Sequence, residues 1–192
     1  MIPIKDFKPQ ERSQGAIKVP AGVYIAKIID AKEKEVSFGR QLFIGLDIIE
    51  GEYTGAYKKR YEADLEYKKK NPDSGDVKWK GTLKLTTYSN NEEYNKRNKV
   101  IFENNMWCIE DSNTGFHFDG EHEKELVGKV VGINVRDNYY NGRAFTEIGQ
   151  LESVNRIREG KVNPMKPRGV PEETAPSVPE GYTSVEDEPL PF

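Results

Sequence analysis

Aromatic and basic side chains are interleaved between Tyr53 and Tyr88. This segment contains nine Lys or Arg residues against five acids, together with six Tyr or Trp residues. Cations neutralise phosphates, and flat rings stack on nucleobases at about 1–3 kcal/mol per base. Both properties suit a single-stranded polynucleotide. The candidate contact residues in this segment are Tyr57, Lys58, Lys59, Arg60, Tyr61, Lys69, Trp79, Lys80, Lys84 and Tyr88.

A second candidate cluster surrounds Asn141-Gly142. Asn-Gly between two strand-like runs predicts a two-residue type I′ hairpin. Tyr139, Tyr140 and Arg143 would then lie at its tip, where a loop between strands can contact a ligand. The alternative for both clusters stays open: the tyrosines are ordinary strand aromatics, and the lysines form a solvated surface.

Signals for catalysis are weak. Cys108, His117, Glu121 and His122 are close in sequence, but their spacing matches no familiar zinc pattern. The acids between Asp111 and Glu125 could serve a divalent-metal nuclease, but acids in such a loop are usually only solvated, and no phosphate-cradling Gly-Lys-Ser/Thr loop accompanies them. We therefore expect no enzyme activity, no metal and no cofactor, with the nuclease kept as a less favoured alternative.

The elements that must position these residues are mainly strands. β-branched, aromatic or alternating runs predict five of them, at 23–29 (with a possible extension over 33–36), 42–49, 82–88, 129–135 and 144–154. Gly45 is expected to form a bulge or bend. A capping box at Ser89–Glu92 predicts a helix through about Ile109, with Trp107 in the core. Between strands two and three, residues 68–75 suggest a mobile hairpin within a long insertion.

Composition changes near residue 160. Seven of the eleven prolines follow Gly160, and residues 169–192 contain six acids and no Lys or Arg. Residues 1–168 therefore hold all 29 basic residues against 26 of the 32 acids, a net charge of +3. We expect a nucleic-acid-binding domain over 1–160 and a disordered, proline-rich acidic tail over 161–192. The tip of that tail has the features of a partner-binding peptide: Glu186, Asp187, Glu188, Pro189, Leu190, Pro191 and Phe192.

Cysteine and hydropathy patterns indicate the compartment. Cys108 is the single cysteine, which favours a reducing compartment. We find no apolar run long enough for a signal peptide or a membrane span. The sequence therefore predicts a cytoplasmic protein with no membrane partner.

The order of three strands, a helix and two strands resembles the oligonucleotide/oligosaccharide-binding (OB) fold, a five-stranded Greek-key barrel. Residues 19–155 are similar to phage-encoded single-stranded DNA-binding proteins. The similarity rests on Val19–Tyr24, Ile49–Gly55 and Leu126–Lys129. The final seven residues resemble the acidic Pro-Phe tip of bacterial single-stranded DNA-binding proteins.

This resemblance implies a sequence-nonspecific single-stranded DNA-binding protein. It would serve phage or mobile-element replication and recombination in a bacterial host cell. The tip would recruit replication, repair and recombination proteins. The main alternative is an adaptor, such as a helicase loader, whose body binds protein. The oligomeric state, the preference for DNA or RNA and the identity of the recruited partner stay open.

Overall fold

The computed structural model describes residues 18–140 and 143–169. The prediction of a mainly β protein is confirmed, with three α-helices added to five strands. In chain order the elements are β1 (Gly22–Val36), β2 (Gly39–Ile48), α1 (Ala56–Lys70), β3 (Thr82–Ser89), α2 (Glu92–Ser112), a 3-10 turn (Glu123–Leu126), β4 (Val130–Tyr140), β5 (Arg143–Glu152) and α3 (Val154–Arg158).

The five strands form one antiparallel sheet in the order β3-β2-β1-β4-β5. β1 lies at its centre and pairs along its first part with β4 and along its second part with β2. The register of β1 against β2 shifts between Ile28 and Asp30, so the irregularity lies directly opposite Gly45. Because each neighbouring pair is antiparallel, the two edge strands β3 and β5 run in the same direction.

The core lies between the inner face of the sheet and α2. In β2 every second residue from Leu42 to Ile48 is buried, as the twofold repeat of a strand requires, whereas β4 is buried at five consecutive positions, 131–135. Ile28, Ile44 and Ile133 are fully buried, and Ile109 of α2 and Leu126 of the 3-10 turn are equally inaccessible. Each such side chain contributes about 1.5–3 kcal/mol through burial.

The cap of α2 lies two residues after the position expected from the sequence. Asn91 is the N-cap, and its side chain accepts a hydrogen bond from the Glu93 N–H at 3.1 Å. Ser89, expected to cap the helix, instead accepts from the Asn91 N–H at 3.2 Å. Trp107 was expected in the core, but 48% of its surface is exposed, because it lies on the face of α2 away from the sheet.

The connection between β2 and β3 is a helix rather than the expected mobile hairpin. Gly55 adopts a left-handed conformation (φ 69°) before α1, and Asp47 of β2 accepts from the Tyr57 N–H at 3.2 Å. Lys68, in the last turn, donates to the Ser74 carbonyl at 3.1 Å and to Asp76 at 3.3 Å. The lysine-rich stretch therefore ends a helix and holds the following turn against it.

Residues 163–169, which we call the C-terminal strap, lie against β4. The Arg168 N–H donates to the Asp137 carbonyl, and the Tyr139 N–H donates to the Arg168 carbonyl, both at 2.9 Å. The sequence assigned this stretch to the linker that begins at 161. Within the described residues the folded body continues to Gly169, because β4 extends beyond its pairing with β1 and offers free backbone groups to the strap.

Within the described ranges, we find no helix that combines the length and the hydropathy needed to cross a membrane.

Candidate nucleic-acid interface

A groove of about 850 Å³ lies between the two edge strands of the sheet. Its described lining includes seven Lys or Arg side chains and one acid, Glu147. The basic residues are Lys18, Arg60, Lys78, Lys80, Lys84, Arg136 and Arg168. The groove therefore attracts anions, and its length along two strands suits an extended anion.

The segment before β3 supplies one wall. Lys78 and Lys80 are exposed, whereas Trp79 between them is half-buried. The Trp79 indole N–H donates to the Leu46 carbonyl at 3.0 Å, and its ring lies 5.5 Å from that of Tyr61. This anchor turns the ring inward and leaves both flanking ammonium groups in solvent beside the groove.

Tyr57 is more deeply buried than Trp79, with 7% of its surface exposed. Its ring packs against Gly81, where a Cβ would lie 2.6 Å from the ring. Burial raises the pKa of the Tyr57 hydroxyl. Tyr57 thus supports the wall of the groove, and the accessible ring in the lining is Phe145 of β5, which is 42% exposed.

A basic aromatic surface continues from the groove onto β2. Phe43 pairs with Lys84 in the register of β2 and β3. The Lys84 ammonium lies 5.5 Å from the Phe43 ring centre, and the Lys34 ammonium lies 5.0 Å from it. Lys84 belongs to the groove lining as well, so the two surfaces are contiguous. Both ammonium groups are attracted to the Phe43 ring, which holds two cations together beside the groove, where they can contact phosphates.

The single acid of the lining pairs with two arginines. Glu147 accepts from Arg136 at 2.9 Å (Nε) and 2.8 Å (a terminal nitrogen), and Arg168 of the strap lies 3.8 Å from the same oxygen. The three charges leave a net of +1. The side chain of Arg168 is 66% exposed, whereas that of Arg136 is 20% exposed. Glu147 therefore positions the guanidinium groups without reversing the charge of the groove.

The structure brings together part of the predicted set. Of the candidates, Tyr57, Arg60, Trp79, Lys80 and Lys84 belong to the groove lining, and Tyr61 contacts it through Trp79. The remaining candidates lie outside that lining. They are Lys58, Lys59 and Lys69 on α1, Tyr88 against Arg40, and Tyr139, Tyr140 and Arg143 at the end of the β4–β5 pair.

Sequence reasoning missed Lys18, Phe43, Arg136, Phe145 and Arg168. Phe43 and Phe145 lie within strands predicted from the sequence, and Arg136 directly follows one. Because neighbouring residues of a strand point to opposite faces, these three side chains could have been assigned to the outer face. Lys18 and Arg168 lie outside the five strands and carry no local signal, because the long-range packing of the chain brings them to the groove. The hairpin residues Asn141 and Gly142 and the tip at 186–192 lie outside the described residues.

The acids considered for metal chemistry separate into two places. The Asp111 carboxylate accepts from the Ser153 hydroxyl, and its backbone carbonyl accepts from the Asn155 amide at 2.7 Å, so it joins α2 to α3. Asp119, His122 and Glu125 are exposed, with potential ligand atoms within 4.8 Å of one another. None of these residues belongs to the described lining of the groove.

The ionisation of this exposed cluster follows from its hydrogen bonds. The Glu121 N–H and the His122 ring hold the pKa of Asp119 at about 2. The same contact with Asp119 raises the pKa of His122 above its ordinary value. Asp119 and His122 are thus partners within one exposed loop.

Cys108 is buried, its thiol faces the Leu151 carbonyl at 3.5 Å, and burial raises its pKa to about 11. A protonated, enclosed thiol is a poor nucleophile. The described lining of the groove, by contrast, gathers seven cations with the rings of Tyr57, Trp79 and Phe145.

No protein-family model and no curated protein sequence matches this chain.

Proposed function

We propose that this protein binds single-stranded DNA without strong sequence preference, in phage or mobile-element replication and recombination. The observation that carries the proposal is the groove between β3 and β5, with seven basic side chains against one acid. Phosphates supply most of the affinity in such a groove, and rings add stacking that every base can satisfy.

The polar composition of the groove favours weak sequence preference. Base-specific reading depends on rigidly placed donors and acceptors, such as an amide paired with adenine or an arginine paired with guanine. The amide in the described lining is Gln41, and it donates to the Thr86 hydroxyl at 3.3 Å. The Arg136 guanidinium is paired with Glu147. The exposed lysines are flexible point charges suited to phosphates.

We propose further that the sheet is an OB-fold barrel. Its strand order, the common direction of β3 and β5, and the shared groove between these edges support this assignment. OB folds bind polymers across the face of strands two and three and with the loops after strands one and four. Phe43 and Lys84 lie on that face here.

The acidic tip is proposed to recruit replication, repair or recombination enzymes. Support comes from the sequence: three consecutive acids precede Pro189, Leu190, Pro191 and Phe192. An apolar tip supplies the affinity of a short peptide, and its charges speed and orient the encounter. The body and the tail would then bind different partners.

One observation favours the adaptor as a second candidate. Val100 and Trp107 are seven residues apart, two turns of helix, and so lie on the same outer side of α2. Their surfaces are 51% and 48% exposed. Exposed apolar groups of this kind are used at protein interfaces. The nuclease has less support, because the acids at 111–125 lie outside the groove lining.

The deciding experiment is titration with oligo-dT at several salt concentrations. Replacing Lys78, Lys80 and Lys84 with Ala should lower the log–log salt slope by about 2, at ~0.7 per phosphate contact. The matched control replaces Lys96, Arg97 and Lys99, three cations of α2 outside the groove lining, and should leave the slope unchanged. A Trp107→Phe background lets the fluorescence of Trp79 report binding.

The outcomes separate the candidates. No binding by the wild-type chain would refute DNA binding and leave the adaptor. Equal losses from the two triple variants would show diffuse attraction rather than binding in the groove. Magnesium-dependent cleavage of the oligonucleotide would favour the nuclease. Parallel titrations with oligo-dU and oligo-U distinguish DNA from RNA preference, since these two strands differ only in the 2′-hydroxyl.

A further inference from the structure

The C-terminal strap forms part of the groove. Its backbone continues the hydrogen bonding of β4 beyond the end of β1, through Arg168 with Asp137 and Tyr139. Arg168 belongs to the described groove lining, and Lys166, two residues earlier, does not. The strap therefore presents one particular cation to the groove.

A buried amide holds the beginning of the strap. Asn134 in β4 is fully buried, and its side-chain N–H donates to the Asn163 carbonyl at 2.9 Å. Its side-chain oxygen accepts from the Met165 N–H at 3.1 Å. A buried amide without hydrogen-bond partners is costly, so the strap stabilises the fold by pairing with both the N–H and the oxygen of the Asn134 side chain. The attachment is thus built into the sheet.

Two close approaches position the rest of the strap. Met165 packs on Gly149 of β5, where a Cβ would lie 2.5 Å from the Met165 sulfur. Gly169 has a left-handed φ of 66°, and a Cβ there would lie 2.3 Å from the Tyr139 carbonyl oxygen. A residue other than glycine at 169 would be strained and would displace the strap at Arg168.

We propose that the C-terminal strap is a wall of the DNA-binding groove and that it positions Arg168 to contact a phosphate. This inference rests on the proposed function. Arg136 pairs closely with Glu147, whereas Arg168 lies 3.8 Å from the same carboxylate and faces solvent. The backbone of the strap holds Arg168 beside the Arg136–Glu147 pair, and a phosphate in the groove would give its guanidinium closer acceptors than Glu147 does.

The test compares Arg168→Gln with Lys166→Gln in the full chain. Both variants lose one positive charge from the same strap, so a diffuse charge effect would be equal in the two. We expect Arg168→Gln to weaken oligo-dT binding about fivefold at 0.1 M salt and to lower the salt slope by about 0.7. Lys166→Gln should change the slope little. Equal effects would overturn the proposal.

Gly169→Ala tests the positioning separately from the charge. It keeps Arg168 but strains the turn, so it should lower the slope as Arg168→Gln does, and the double variant should lose no more than either single one. Amide hydrogen exchange should show loss of protection at Arg168 and Tyr139, with the core of the sheet still protected. Unchanged DNA binding despite that loss would overturn the proposal. Failure of the wild-type chain to bind oligo-dT would instead refute the proposed function.

Discussion

At the scale of single residues, the aromatic side chains near the groove have two different environments. Trp79 is held by its hydrogen bond to Leu46 and by the ring of Tyr61. Phe145 on the opposite edge is 42% exposed. Sequence reasoning placed Trp79 among the contact residues, because a Trp between two lysines looks like a stacking platform. The structure anchors the Trp79 ring in the groove lining and leaves the Phe145 ring more exposed, so a stacking role for either ring is a prediction to be tested.

Two substitutions distinguish these environments. Trp79→Phe should lower the free energy of unfolding by about 1 kcal/mol, since it removes a hydrogen bond, and should change oligo-dT affinity little. Phe145→Ala should weaken binding by about 1–3 kcal/mol if one base stacks there, with a smaller change in stability. Urea unfolding measures stability, and titration of fluorescently labelled oligo-dT measures affinity without depending on Trp79. The reverse pattern would assign stacking to Trp79.

At the scale of elements, the strands could be predicted and α1 could not. The strands contain runs of β-branched residues and an alternation of apolar and polar residues, and both signals can be recognised from residues that are close together in the sequence. Helix α1 has two buried residues, Ala56 and Tyr57, so it lacks the apolar stripe that identifies a helix. Two signals were present: residues 56–70 contain no Gly or Pro, and Tyr57 and Tyr61 are four residues apart.

The strap was missed for a different reason. Its prolines at 164 and 167 have the composition of a linker. It is held by Asn134 and Gly149, which lie 14 or more residues away in sequence and give no local pattern. For the groove likewise, several lining residues close together in the chain were found, whereas Lys18 and Arg168 reach it only through the long-range packing of the chain.

Asp47 offers a test of the start of α1. Asp47→Ala removes the acceptor for the Tyr57 N–H and should cost about 1 kcal/mol, as loss of a helix cap does. Asn at this position keeps an acceptor and carries no charge. We therefore expect Asp47→Asn to be tolerated.

The pH dependence follows from burial, which raises the pKa of Asp47 above its ordinary value. Burial favours the protonated Asp47 carboxyl over the carboxylate. The stability that this protonation gives the folded state is therefore fully present below the unfolded pKa of about 3.9 and is lost as pH rises through the raised folded pKa. The stability of Asp47→Asn relative to wild type should therefore increase as pH rises from about 3 to 7. Urea unfolding across that range measures it, and a constant or opposite difference would contradict this account.

At the scale of the whole molecule, charge divides the chain. The groove is basic, and the residues after 168 carry six acids and no Lys or Arg. The strap lies between the two regions, so the described body ends beside the groove at Gly169. Under the proposed function, the acidic tail starts close to the basic groove, where its carboxylates would compete with the DNA phosphates.

Removing residues 186–192 tests this division. Recruitment of replication and repair proteins should be lost, while oligo-dT binding should persist and tighten modestly at low salt, because an acidic competitor is removed. Phe192→Ala keeps every charge, so it should abolish recruitment and leave DNA affinity nearly unchanged. Pull-down from a bacterial lysate beside oligo-dT titration measures both. Recovery of the same partners by all three chains would refute a role for the tip.

The position of the groove has a topological consequence. It lies between β3 and β5, which stand at the two ends of the hydrogen-bonded order, and its rim residues Lys80, Lys84 and Arg168 are exposed. A polymer can therefore enter from the side, with no need to thread a terminus through a ring. Under the proposed function, a closed single-stranded circle should bind with the same affinity per nucleotide as a linear strand of equal length. The protein could then load within a gap or an unwound bubble, where no free end exists.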